Sequence, residues 1–450
     1  MVLQANILAM QQAAILSIGD ELALGQTVDT NSAWVSQQLI GRGIHTLMHQ
    51  TVADDLPAMI DALRYISQRV QLLIISGGLG PTQDDLTRQA IAEAIGSKLV
   101  LDEAQLANIQ GFFDRRGRPM AEANRVQALR PESGTMLTND WGTAPGIRVR
   151  IGECEAFAVP GVPREMKAMF THRILPALDG LGFGGDRVIK TTKVNTFGMG
   201  ESTVADRIGD LMARDRNPMV GTTVAKGIVS VRVRSEFATE DQAEAELEAA
   251  AAEVEARMRP LAYSREETAL QSVVVALLQG DGVDKKTQTI ATAESCTGGM
   301  LAAMLTDVPG ASAVVAGGWV TYSNALKTEC VGVDEQLLID HGAVSGPVVC
   351  AMAAGALQKA DSDWALSTSG VAGPGGGTDD KPVGTVWIGL AQRTKDGVET
   401  QAVKVHLPGT RHEVRDRSAK CALQMLRLAL LGESLSAIDW AMETIEPVSV

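Results

Sequence analysis

A serine set between a short β-prone run and a good helix former is where chemistry is first legible in this chain. Gln288-Thr289-Ile290-Ala291-Thr292 leads into Ala293-Glu294-Ser295-Cys296-Thr297-Gly298-Gly299, and Met300 to Leu305 then favours helix. Ser295 therefore falls where a strand turns into a helix. Glycines there let a substrate approach the backbone, and the unpaired N–H groups of a first helical turn can hold a developing oxyanion. The serine still needs a base. Lys327, in Thr321-Tyr322-Ser323-Asn324-Ala325-Leu326-Lys327, can act as one if burial lowers its pKa. Two other readings stay open: Ser295 as a mere helix cap, and Cys296 as the nucleophile, intrinsically the stronger one. A histidine triad is not credible, because His45, His49, His172, His341, His406 and His412 share no motif with Ser295.

Other runs suit phosphate. Pro309-Gly310-Ala311-Ser312 and Ser369-Gly370-Val371-Ala372-Gly373-Pro374 offer hydroxyls and turn N–H groups. Arg411 can add charge-assisted bidentate contacts, and Arg415, one helical turn on, is the next choice. Far upstream, Gly77-Gly78-Leu79-Gly80-Pro81-Thr82 can wrap a pyrophosphate with its backbone, and Asp84 and Asp85 are oxygen donors for a divalent cation. Asp54-Asp55 and Asp20-Glu21 are further metal candidates. Each glycine run can also be a plain connection.

The elements that must position these residues fall in three segments. Residues 13–175 alternate strand and helix: Ala14 to Gly19 is a strand, Asn31 to Gly43 a helix, Gln71 to Ser76 a strand buried on both faces, and Leu86 to Ile95 a helix. Residues 185–260 make a small α+β unit. In it Val188 to Thr196 is a strand, Glu201 to Ala213 a helix, Met219 to Thr223 pairs with Ile228 to Ser235, and Thr239 to Met258 is an acidic helix with a solvated face. Residues 262–432 are α/β again, with helix from Glu266 to Leu278, strands from Ala313 to Thr321, Trp364 to Ser369 and Gly384 to Ala391, and helices from Val344 to Gln358 and Arg411 to Leu430. From Gly432 onward the tail carries little signal.

Composition narrows the classes. The chain has 450 residues, 45% of them hydrophobic, enough for two or three cores. A net charge of −14 leaves no basic surplus to neutralise a nucleic-acid backbone, so direct nucleic-acid binding is not expected. Cys154, Cys296, Cys330, Cys350 and Cys421 are scattered without CxxC spacing and read as reduced thiols. Met1 to Gln12 lacks a signal-peptide pattern and no run nears eighteen apolar residues, so a cytoplasmic protein with no membrane partner is expected.

Together these motifs resemble the CinA family (competence/damage-inducible protein A). The resemblance is carried by Gly19-Asp20-Glu21-Leu22, Asp29-Thr30-Asn31, the Gly77–Thr87 run with Asp84-Asp85-Leu86-Thr87, Pro160-Gly161-Val162-Pro163-Arg164-Glu165-Met166 and the Ser295 region, over about residues 13–430. It implies two α/β domains, an N-terminal molybdopterin-binding-like one and a C-terminal CinA amidase-like one, joined by a small α+β KH-like domain. It further implies deamidation of nicotinamide mononucleotide (NMN) at Ser295, Tyr322 and Lys327 without a cofactor. In the first domain it implies cleavage of ADP-ribose with a divalent metal ion. Small nucleotides are then the partners, and a homodimer is expected. The middle unit carries Gly198-Met199-Gly200 rather than a nucleic-acid clamp of GxxG type and reads as a spacer or dimer element. Leu79 stands where many molybdopterin-binding relatives carry threonine. The rival functions are a non-catalytic binding protein of competence or recombination and a molybdopterin-pathway enzyme, which the Ser295 domain does not support.

Overall fold

A computed structural model describes residues 11–184, 187–281 and 286–449; the expectation for Met1 to Gln12 falls almost wholly outside that range. The chain folds as two compact units. One holds the chain up to Lys190 with Glu236–Ala243, the other Thr191–Ser235 with everything from Glu244.

The first unit is built on a six-stranded sheet. Its strands are β1 (Gln12–Ile18), β2 (His45–Val52), β3 (Leu72–Ser76), β4 (Thr135–Leu137), β5 (Gly146–Ile151) and β6 (Cys154–Val159), in spatial order β2-β1-β3-β6-β5-β4. The first four in that order run parallel, and β5 and β4 continue the sheet antiparallel. Every residue of β3 is buried, as its unbroken apolar run requires. Helix α1 (Thr30–Ile40) starts where the Asp29 carboxylate accepts from Ser32 N, and α2 (Thr87–Ala94) follows the glycine loop. The strand order reverses between β1 and β3. Ligands of such sheets bind beyond the carboxyl ends at that point, which is where Gly19 and Gly77 lie.

The second unit carries two sheets. Strands β7 (Val188–Thr196), β8 (Met219–Ala225), β9 (Ile228–Phe237) and β10 (Ala262–Arg265) form the order β8-β9-β7-β10, with helices α3 (Glu201–Ile208) and α4 (Glu240–Met258). In α4, Ala243, Leu247, Ala251, Val254 and Met258 form one buried stripe, and its glutamates are largely exposed, as the sequence led us to expect. Gly198 adopts φ 104° and Met199 is fully buried, so the Gly-Met-Gly run is a packed turn.

The last sheet contains β11 (Ile290–Glu294), β12 (Val315–Val320), β13 (Trp364–Gly370), β14 (Thr385–Thr394), β15 (Gly397–His406) and β16 (Ala441–Ser449), ordered β12-β11-β13-β14-β15-β16. Helices α5 (Met300–Thr306), α6 (Asn324–Val331), α7 (Gly346–Ala360) and α8 (Arg411–Leu430) accompany it. Parallel β11 again sits at the reversal, between β12 and β13. Two expectations change. The helix awaited from Glu266 begins only at Leu270, because Glu266 takes φ 55°. The tail is not featureless: β16 pairs antiparallel with β15, an order supplied by the sheet edge rather than by the tail's own pattern.

The middle and last segments share one hydrophobic core running from Val194 and Phe197 to Leu426 and Ile438. Buried Gln424 Nε2 donates to Phe197 O at 3.0 Å and Leu261 O at 3.3 Å, and Arg427 donates to Pro260 O and Ala262 O. We expect a fragment of residues 262–450 to keep Ser295 and Lys327 but to melt below a fragment of residues 191–450. Losing Phe197 alone removes a contact of about 3–5 kcal/mol by the measure of core truncations. Equal melting temperatures in calorimetry would show that the shared core contributes nothing.

Candidate active sites

Ser295 lies one residue past β11, where Ser295 N donates to Thr368 O at 2.9 Å. The turn that follows needs two successive left-handed residues, supplied by Gly298 (φ 57°) and Gly299 (φ 90°). Opposite it, α6 starts at the Ser323 cap and delivers Lys327 one turn in. Lys327 Nζ lies 3.2 Å from Ser295 Oγ, 2.9 Å from Thr321 O and 3.5 Å from Tyr322 O. Its side chain is only 1% exposed, and desolvation pushes the amine below its ordinary pKa. A serine and a lysine thirty-two residues apart are thus in hydrogen-bonding contact. The helix-cap reading of Ser295 does not account for that contact. Cys296 is disfavoured as nucleophile: it is buried, and burial pushes its thiol up to about 12, which holds it as the unreactive thiol.

The source of oxyanion stabilisation differs from the expectation. Buried Glu294 accepts from Gly299 N at 2.9 Å, Leu301 N at 3.0 Å and Ala302 N at 2.8 Å, so the first turn of α5 is already satisfied. Gly298 N and Met300 N bond to Ser295 O and Thr297 O. The N–H groups left without an acceptor among the described residues are those of Cys296 and Thr297, directly after the serine. Sequence reasoning gave Glu294 no role. The available signal was an acid immediately before the serine, a few residues ahead of an uncapped helix start.

The other expected contributors divide by location. Tyr322 is 57% exposed and its hydroxyl accepts from Arg411 Nη2 at 2.9 Å, while Lys327 Nζ reaches only its backbone oxygen. Arg411 opens α8 inside a Thr410–Glu413 capping box and also donates to Gly373 O at 2.8 Å. Arg415 spends two nitrogens on Cys296 O (3.1 Å) and Thr297 O (2.7 Å), which makes it a brace for the serine turn rather than a free phosphate ligand. Ser369 is buried and donates to Ala343 O at 2.6 Å, and a Cβ on Gly370 would lie 2.7 Å from Thr385 O. Both serve packing beside the site. Ser312 is exposed and precedes β12, whereas Ser295 follows β11. The two strands are parallel, so Ser312 sits at the opposite end of the sheet, about 20 Å away at the usual rise per residue.

In the first unit a cavity of about 620 Å³ opens at the carboxyl ends of β1 and β3, lined by Gly77, Gly78, Gly80, Asp54, Asp84 and Asp85 among others. A Cβ on Gly77 would fall 2.2 Å from Ile18 O, so only glycine allows this approach. Asp85 does not behave as a metal ligand: it accepts from Gly80 N (2.6 Å), Thr82 N (2.8 Å) and the Thr82 hydroxyl, filling the cradle expected for phosphate. Buried Arg88 donates to Leu79 O and Gly80 O from behind, and burial draws it down to about 10 against the pull of Asp85. The N–H groups of Gly78 and Leu79 remain without acceptors among the described residues. Asp20 and Asp54 exchange backbone bonds, Asp20 N to Asp54 at 2.9 Å and Asp54 N to Asp20 at 3.1 Å. Burial first, then the charges of Asp20, Asp84 and Glu21, raise the Asp54 pKa. Among the described residues no three His, Cys, Asp or Glu side chains converge as a ready metal cage. No helix there is long and apolar enough to cross a membrane, and all five cysteines are free.

Comparison with known proteins agrees with this architecture. Residues 14–180 match the family model "Probable molybdopterin binding domain", 191–264 "Damage-inducible protein CinA KH domain" and 268–430 "CinA C-terminal domain". A CinA-like protein of Gloeobacter violaceus is 42% identical over 431 residues, covering 93% of this chain and 97% of its own. A CinA-like protein of Dictyoglomus thermophilum is 39% identical over 418 residues, covering 93% and 99%. A crystal structure of the protein CinA from Thermoplasma acidophilum aligns with 38% of this chain and 98% of its own, at 32% identity and TM-score 0.35. With three domains in this order and relatives of such identity along nearly its whole length, the chain belongs to the CinA family.

Proposed function

We propose that the second unit hydrolyses the carboxamide of NMN to nicotinate mononucleotide and ammonia. The observation that carries this reading is the buried Lys327 amine 3.2 Å from Ser295 Oγ. Ser295 Oγ attacks the carboxamide carbon as its proton passes to neutral Lys327 Nζ. The C–O bond forms, the carbonyl π pair moves onto oxygen, and the Cys296 and Thr297 N–H groups hold that oxyanion. The lysine ammonium then gives the proton to the amide nitrogen, which leaves as ammonia. Water, deprotonated by Lys327, releases the acid and restores the serine. Arg411 and Tyr322, exposed and bonded to each other at the edge of the site, suit the substrate phosphate.

Ammonia release from NMN across a pH series tests this. Only the neutral amine is competent, so kcat/KM should fall as pH drops through the Lys327 pKa. Burial lowers that pKa, so the ascending limb should lie below the ordinary lysine value of about 10.4. A chain that releases no ammonia from NMN, or whose rate does not depend on pH in that range, would refute the reading.

The 620 Å³ cavity of the first unit supports a second activity, hydrolysis of ADP-ribose to AMP and ribose 5-phosphate. Asp54 and Asp84 both face it; burial and the neighbouring carboxylates raise the Asp54 pKa, a hydrogen bond from Thr82 lowers that of Asp84, and oxygen donors gathered in this way would suit a hard divalent cation. When bound, such an ion neutralises pyrophosphate charge. Gly78 and Leu79 N–H groups orient the phosphates, and Asp85 with Arg88 keeps the loop in shape. Family membership and the Ser295–Lys327 contact favour this pair of activities over a non-catalytic competence or recombination protein.

A further inference from the structure

A small cavity of the second unit, about 220 Å³, lies apart from the Ser295 site: Ser295, Lys327, Tyr322 and Arg411 are all absent from its lining. We infer that it binds a free α-amino acid with an apolar side chain of about phenylalanine's size. The β8–β9 hairpin, the start of α3, the connection from β15 to α8 and Trp440 form its walls. Met199, Val229, Leu407, Pro408 and Trp440 make most of the lining apolar. The Trp440 ring is set edge-on against buried Phe197, with centroids 5.1 Å apart, so that wall is already in place. An apolar cavity of about 150 Å³ accepts benzene. One ring or one branched aliphatic chain therefore fits here, whereas a nucleotide, with its sugar and phosphate besides the base, does not.

Charge selects the polar end of the ligand. Besides exposed His406, the titratable side chains of the lining are Arg417 and Glu201. Among the described residues Arg417 has no anion. Its Nη1 donates to Pro408 O at 2.7 Å, its Nε is buried without an acceptor, and Glu413, one turn earlier, accepts from Thr410 N at 2.7 Å. Glu201 has no cation there either, and its carboxylate accepts from the Thr222 hydroxyl at 3.1 Å. Two unmatched charges of opposite sign beside an apolar wall suit a molecule that carries both signs next to a hydrocarbon group. A simple carboxylic acid would leave Glu201 unmatched, and a simple amine would leave Arg417 so. An amino acid meets all three demands, with its carboxylate on Arg417, its ammonium on Glu201 and its side chain among Met199, Val229 and Trp440.

Titration calorimetry on the intact protein tests the inference, and its readout is independent of deamidation. Phenylalanine should bind at a single site per chain with a Kd of about 1 mM or tighter. Phenylpropionate, which lacks the ammonium, and phenethylamine, which lacks the carboxylate, should each bind at least about tenfold more weakly, and glycine should give no heat. Glu201→Gln keeps an acceptor for Thr222 but loses the charge, so it should weaken phenylalanine about tenfold with an unchanged melting temperature. Arg417→Gln should weaken it likewise. Should that change disturb α8, Val224→Trp decides: it fills the cavity from a half-exposed lining position and should abolish binding. No heat with phenylalanine, equal affinity for phenylpropionate, or unchanged affinity in a folded Glu201→Gln or Val224→Trp chain would each overturn the inference.

Discussion

Ser295→Ala is expected to abolish ammonia release from NMN, and Lys327→Ala to do the same, each by on the order of a thousandfold or more. The two losses should not add, because nucleophile and base act in one proton transfer across 3.2 Å. Lys327→Arg should be as damaging as alanine: guanidinium stays protonated at any accessible pH and has no lone pair to take the serine proton. Cys296→Ala should keep most of the activity, since that thiol is buried and pushed up to about 12. Steady-state ammonia assays on the four variants decide the matter. If Ser295→Ala retained near-normal turnover while Cys296→Ala lost it, the nucleophile would be the cysteine.

Chelation is expected to silence ADP-ribose hydrolysis and spare deamidation. In the proposed deamidation, Ser295, Lys327 and the Cys296 and Thr297 N–H groups supply nucleophile, base and oxyanion donors without an ion. The cavity of the first unit instead gathers carboxylates beside the glycine loop proposed to hold the pyrophosphate. Asp54→Ala and Asp84→Ala should each reduce this activity by on the order of a hundredfold or more. Asp85→Ala should act otherwise: it frees Gly80 N and Thr82 N and strips buried Arg88 of its countercharge, so a lower melting temperature should accompany lost activity. Parallel assays with NMN and ADP-ribose, before and after chelation and with divalent ions restored, measure this. ADP-ribose cleavage that survives chelation would remove the metal from the assignment. Loss of both activities together would show an ion acting on the whole protein.

Much of this molecule was legible without coordinates, because its signals are local. The apolar run over Leu72–Ser76 had to be a strand covered on both faces, and the strand-glycine-helix sequence around Ser295 had to be a turn that displays a side chain. Arg411 to Leu430 follows from its capping box and its length. Pairings across distance were another matter. That Lys327 is dry enough to be a base depends on the helices and strands packed about it, which no spacing reveals. Ser312 and Ser369 carry the same hydroxyl, yet strand direction sends one to the far end of the sheet and burial commits the other to Ala343 O. Asp84 and Asp85 are neighbours in sequence, and only the tertiary structure separates a carboxylate that faces the cavity with its pKa lowered by Thr82 from one closed over its own loop. Sequence alone determined which elements form and which groups are reactive in kind. Packing decided which of those groups are desolvated, paired or free, because a side chain's protonation and hydrogen-bonding state is a property of its surroundings and not of its identity.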